Sequence, residues 1–207
     1  MFLIVFAVLT VVLVFVVLPK LRERRAEERH LALADRGDQL LGRREVVLRD
    51  LPDLWLLSIY ERVASRRVEP RFRTRRGDRE VTVVDFVGPM HDGVVQRFAI
   101  AWIAVDGAAE RTALVRRWRD PSALLQRQGR VRSGDEAFDD AFKQFGAVVG
   151  DPARREQLLA AAPKEVSLEL GPGFVVAWCQ VVDEATPVAT YDVLVDAAVA
   201  VSRGSGS

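Results

Sequence analysis

Residues 67–87 read RVEPRFRTRRGDREVTVVDFV, and their pattern decides the fold. From Arg67 to Arg75 an apolar or small residue falls at every second place with a charge between, the period of a strand buried on one face. Arg76-Gly77-Asp78 is turn chemistry and Glu80 to Val87 supplies a returning strand, so the segment predicts a β-hairpin. Pro70 has no N–H for an interior ladder, which places the first strand at a sheet edge.

Downstream, Gly88 to Gly93 forms a second turn. Val94 to Val105, with Phe98, Ile100, Trp102 and Ile103, predicts a longer strand, and Thr112 to Trp118 follows the break at Gly107. These three or four strands are expected to form an antiparallel meander. Gly150-Asp151-Pro152 is a helix start, with Asp151 as cap and Pro152 at the first position, running to about Ala161. Val166 to Leu170 alternates as a strand, Gly171-Pro172-Gly173 turns it, and Phe174 to Val182 is a nearly all-apolar central strand. A last helix over about Thr186–Ser202 has Val188, Tyr191, Leu194, Val195, Ala198 and Val201 on one face. Upstream of the hairpin, Leu54 to Ala64 reads as a helix capped by Asp50 or Asp53.

The chain opens MFLIVFAVLTVVLVFVVL over residues 1–18, without a charge. As a helix this run covers roughly 27 Å, at the short end of what a ~30 Å hydrocarbon core requires. Lys20, Arg22, Arg24, Arg25 and Arg29 flank its C-terminal side and no basic side chain precedes it, so the body is expected to face the cytoplasm. A cleaved signal would need a basic start and a small-residue exit, and the run ends Val16-Val17-Leu18-Pro19. The expected fold class is therefore α+β: an N-terminal transmembrane helix followed by one domain with a mainly antiparallel sheet packed by helices. The expected divisions are an anchor over 1–18, a charged juxtamembrane helix or linker over 19–37, a soluble domain over 38–202 and a flexible tail over 203–207. The expected location is the cell inner (cytoplasmic) membrane, crossed once.

Basic and acidic residues number 30 and 29, giving a net charge of +1, so no global field points to nucleic acid. The one cysteine, Cys179, cannot form an internal disulfide, which fits a reducing compartment. Nearly all basic residues are arginine and asparagine is absent, the signature of a GC-rich coding bias.

Residues 78–202 resemble a bacterial family of membrane-anchored proteins that carry a domain of unknown function. The shared features are Asp85-Phe86 closing a strand, the run Gly134 to Phe142, the Gly150-Asp151 turn, the Leu158-Leu159 helix and the Val166 to Val181 hairpin. The chain departs from that pattern in its single apolar anchor and its abbreviated region between anchor and sheet. The resemblance implies a fold and a location, and no reaction.

Candidate chemistry is sparse. Cys179 lies inside an apolar strand and reads as a small core residue, not a nucleophile partnered by His30 or His91. Two distant histidines do not form a metal-ligand spacing. Asp85, Asp139 and Asp140 offer carboxylates, the last two reading as surface and capping groups. Gly171-Pro172-Gly173 precedes a strand, so it lacks the helix N-terminus that binds phosphate. No catalytic, cofactor-binding or metal residue is assigned, and no cofactor is expected. Arg66 to Arg79 holds seven arginines. Three roles compete for them: protection of an edge strand, contact with a membrane surface, and nucleic-acid binding, the last disfavoured because alternation turns Phe72 toward the core. The candidate membrane-surface residues are Lys20, Arg22, Arg24, Arg25, Arg71, Arg73 and Arg75. The expected function is a single-pass, membrane-anchored, non-enzymatic module. It contacts the bilayer through residues 2–18 and binds a protein partner at the inner membrane or the membrane surface. The alternative is a small ligand-binding or hydrolase-like domain with a site assembled from distant residues.

Overall fold

Gly77, at φ +65°, turns the chain between β2 (Arg67–Arg76) and β3 (Arg79–Pro89), which pair antiparallel with Arg76 opposite Arg79. A positive φ at that point suits glycine, which has no Cβ to clash. The computed structural model of the chain describes residues 31–33, 35–42, 45–46, 48–55, 67–89, 95–107, 110–116, 129–181 and 186–204, together with Val17, Lys20, Leu21, Arg24 and Glu28.

Around the hairpin lie β1 (Gln39–Leu40), β4 (Val95–Ala104), β5 (Thr112–Arg116), β6 (Arg130–Val131), β7 (Phe142–Gly146), β8 (Ser167–Gly171) and β9 (Phe174–Val181). The nine strands form one antiparallel sheet in the order β1-β2-β3-β4-β9-β8-β5-β7-β6. The meander predicted from the sequence therefore holds through β4 and then breaks. The β8–β9 hairpin inserts between β4 and β5 in the sheet. β2 is not the outermost strand, since β1 pairs with it at Arg73 and Phe72.

Among the described residues, the helices with both ends described are α1 (Glu136–Ala141), α2 (Pro152–Ala161) and α3 (Val188–Arg203), with a 3-10 turn at Leu48–Asp50. Asp151 caps α2 as the sequence predicts, accepting from the N–H groups of Ala153 and Arg154, with Pro152 in the first turn. α3 lies across β3, β4 and β9, with α2 beside it. Beneath it the sheet presents Ala99, Ala101 and Ala177, and these small side chains let Leu194, Val195 and Ala198 approach closely. The opposite face carries larger groups: Val84, Phe86, Ile100, Val176 and an edge-to-face pair of Phe98 and Trp178 with centroids 5.8 Å apart. Leu41, Val46, Leu51 and Leu54 cover that face.

The expected architecture needs correction. Strands dominate, and what is observed is not a transmembrane helix followed by an α+β domain. Among the described residues no helix is long and apolar enough to cross a membrane. The longest of these three, α3, has 16 residues, about 24 Å of rise against a core of about 30 Å, and it carries Asp192, Asp196 and Arg203. The membrane and single-pass expectations built on such a helix find none among the described residues. Residues 1–16, on which the anchor was read, and the expected helix beyond Trp55 lie outside the described residues. Leu33 is buried in the helix-covered core and Arg36 donates two hydrogen bonds to the Asp192 carboxylate on α3. This part of the charged stretch packs on the sheet domain.

Candidate functional site

Strand parity brings a set of charged side chains to the helix-covered face. Glu69 on β2 lies opposite Asp85 on β3, Asp85 opposite Ala99 on β4, and Ala99 opposite Cys179 on β9. Asp85 shares its face with Val81 and Val83, and Arg97 shares its face with Ala99. Between Pro70 and Phe72 the β2–β3 register shifts at a β-bulge, which leaves Arg71 with no residue opposite it. The bulge lets Arg71 turn inward beside the fully buried Phe72 instead of alternating outward. Tyr191, in the first turns of α3, reaches the same spot, its ring edge-on to Phe72 at 5.9 Å.

The cluster is tightly bonded. Arg71 donates to Asp85 Oδ2 from Nε at 3.1 Å and from Nη2 at 2.7 Å, and Nη2 also donates to Glu69 Oε2 at 2.9 Å. Arg97 Nη1 donates to Glu69 Oε2 at 2.6 Å and to Asp85 Oδ2 at 3.1 Å. The Tyr191 hydroxyl donates to Asp85 Oδ1 at 3.1 Å, and Arg67 Nη2 lies 2.9 Å from Glu69 Oε1. The Asp85 side chain is 0 % exposed, that of Arg97 7 % and that of Glu69 25 %.

Electrostatics fix these charges in place. Burial pushes Glu69 toward its neutral form, but the hydrogen bond from Arg97 and the charges of Arg97, Arg71 and Arg67 hold it below the usual carboxylate range. Burial opposes the charge on Arg71, and the Asp85 carboxylate outweighs it, so the guanidinium sits above its ordinary value. A general acid or base works best with a pKa near the operating pH, and both shifts run away from neutrality. Asp85, enclosed and bonded on both oxygens, offers no open lone pair to a substrate. The cluster ties the first turns of α3 to three strands.

The other residues marked by the sequence do not join it. Asp139 accepts from Ser133 N–H and Oγ and from Gly134 N–H, and these contacts hold it below the usual carboxylate range despite partial burial. It borders a cleft of about 420 Å³ where Arg130 and Arg132 face Glu136 and Asp140. Cys179 is buried. His30 and His91 lie outside the described residues. Of the basic set, Arg71 is drawn inward, Arg73 lies 3.9 Å from Glu80, and Arg75 is exposed. Lys20 and Arg24 are exposed, and Arg22 and Arg25 lie outside the described residues. Among the described residues no three His, Cys, Asp or Glu side chains are grouped to hold a metal ion.

Sequence reading missed Arg97 and the hydroxyl role of Tyr191. The available signal was parity: in β4 a charge occupies a place where Ala99, Ala101 and Ile103 face the core, and inward carboxylates wait at Asp85 and Glu69.

A second constellation sits on the opposite face. Glu169 on β8, 1 % exposed, accepts from Trp55 N–H at 2.8 Å and from Arg111 Nη2 at 3.0 Å. Arg111 lies 4.4 Å from the centroid of the Trp55 ring, and its Nη1 donates to Asp53 Oδ2 at 2.9 Å. This latch pins the strap of residues 51–55 across the sheet.

No family model, no curated protein and no solved structure matches the chain. The resemblance to membrane-anchored proteins with a domain of unknown function gains no family evidence, and that expectation is set aside.

Proposed function

We propose that the protein is a non-catalytic module that binds another protein. One observation carries this reading: the charges that converge within the described fold, at Glu69, Arg71, Asp85 and Arg97, are spent on one another and on Tyr191. Groups bonded to one another and enclosed in this way stabilise a scaffold, and they are poorly placed to pass a proton to a substrate. A sheet covered on both faces gives such a module a rigid surface, and rigidity lowers the entropy lost on association.

Cross-linking of the full chain in intact cells, with identification of the adducts, tests the reading. Discrete protein adducts are the expected result. Their absence, or turnover in a substrate screen that is lost in a folded Asp85→Asn variant, would refute it.

A further inference from the structure

β4 ends at Ala104 directly opposite Phe174, where β9 begins. This point is seven residues along β4 from Arg97, about 24 Å, and five from Ala99, the position opposite Asp85, about 17 Å. Trp102 and Ala104 also face the other side of the sheet, the side covered by the strap. Here lies a cleft of about 570 Å³, walled by Trp102, Phe174, Pro52 and Pro172 and rimmed by Asp50 and Asp53. Its size falls in the range of roughly 300–1,000 Å³ typical of ligand sites.

The cleft is held open by the chain itself. Leu51 and Leu54 bury into the sheet, which leaves Pro52 half-buried at the wall and the Asp53 side chain 79 % exposed. Arg111 clamps the Asp53 carboxylate and backbone carbonyl, and its charge is matched from beneath by buried Glu169. Arg111 also lines the cleft and Arg49 lies 3.9 Å from Asp50, so Asp50, Asp53 and Glu169 outnumber the two guanidiniums by one and the rim is net negative by a single charge. Loop 105–107 is hydrogen-bonded to the Pro172-Gly173 turn, and exposed Asp106 and Glu110 add carboxylates at the same end.

We infer that this cleft docks a segment of a partner protein in which a bulky apolar side chain is flanked by lysine or arginine. The inference rests on the binding-module reading. The apolar side chain covers Trp102 and Phe174, and the cation meets the acidic rim and the face of the Trp102 ring. Anionic lipid and nucleic acid carry the wrong charge for this rim.

Fluorescence anisotropy with labelled peptides and the full chain tests it. A peptide alternating leucine and arginine binds, and binding weakens as salt is raised. Peptides alternating leucine with glutamate, or glycine with arginine, do not bind. Ala104→Trp fills the cleft and weakens binding at least tenfold, and Asp50→Lys or Asp106→Lys weakens it about fivefold. Glu156→Lys, on α2 across the sheet, leaves it unchanged. The inference is overturned if the leucine–glutamate peptide binds equally, if Glu156→Lys weakens binding as much as Asp50→Lys, or if nothing binds. If cellular cross-links recover a partner but map to the α2–α3 face, only this inference falls. If no protein partner is recovered, the binding-module reading falls and takes the inference with it.

Discussion

Asp85→Asn is the sharpest perturbation of the fold. The amide has the same shape as the carboxylate, so packing is preserved while the charge and one hydrogen-bond acceptor are removed. The carboxylate accepts at 2.7 and 3.1 Å from Arg71, at 3.1 Å from Arg97 and at 3.1 Å from Tyr191, with no exposed side-chain surface. In the variant one of these acceptors becomes an NH2 donor facing other donors. Arg67, Arg71 and Arg97 are then balanced by Glu69 alone. Removing one partner of a buried ion pair costs about 3–5 kcal/mol, because the desolvated partner remains. With a total stability of about 5–15 kcal/mol, that is a large share.

Urea unfolding followed by tryptophan fluorescence reads the effect. Taking a slope of about 2 kcal/mol/M, the midpoint falls by about 2 M. Tyr191→Phe removes one donor and leaves the charges paired, so it costs about 1.5 kcal/mol, clearly less. Replacing both partners, Asp85→Leu with Arg71→Met, is milder than the two single losses combined, because no isolated charge stays behind. A loss below about 1 kcal/mol for Asp85→Asn, or a loss from Tyr191→Phe that equals it, would show that the cluster does not hold the fold as described.

Three further measurements follow from other parts of the molecule. Gly146 has φ +80°, and a Cβ there meets the Arg111 carbonyl and lies 2.7 Å from the Trp55 ring, so Gly146→Ala destabilises by more than about 1 kcal/mol and lowers the melting temperature. Asp151→Ala removes the acceptor for two N–H groups of α2 and costs about 1 kcal/mol in the same melt; no change would mean that the cap is dispensable. Glu69 has a folded pKa below its unfolded value, so its contribution is fully present above about pH 4.3 and is lost as pH falls through the lower folded value. The urea midpoint should drop below that pH, and Glu69→Gln should make the drop shallower; an unchanged slope would refute the assignment.

What was legible in the sequence was local. The Gly77 hairpin, the Asp151-Pro152 helix start and the Gly171-Pro172-Gly173 turn are each written in a few adjacent residues, and each appears in the structure. Sheet order was not legible, because β8 and β9 lie far along the chain from the β4 edge that they occupy. The bulge at Arg71 was hidden by an intact alternation of letters: periodicity cannot show where one extra residue slips the register. That slip converts one rung of an apparent surface ladder into the centre of an internal cluster. Tyr191 was read as one more apolar contact of α3, because a helical spacing reports the ring and not the partner of its hydroxyl.

The distance between the two ends of β4 separates stability from recognition. Arg97 is locked into the ion cluster on one face, and Trp102 stands at the cleft on the other, with about 24 Å between Arg97 and Ala104. Sites more than about 10 Å apart without shared partners usually act independently. Asp85→Asn, studied well below its urea midpoint, should therefore bind the leucine–arginine peptide within about twofold of the unsubstituted chain, while Ala104→Trp loses binding and keeps its urea midpoint within about 0.5 M. Anisotropy and unfolding on the same samples decide the matter. A tenfold loss of affinity in a folded Asp85→Asn protein would mean that the cluster belongs to the recognition surface, and the assignment of its charges to the scaffold would be wrong.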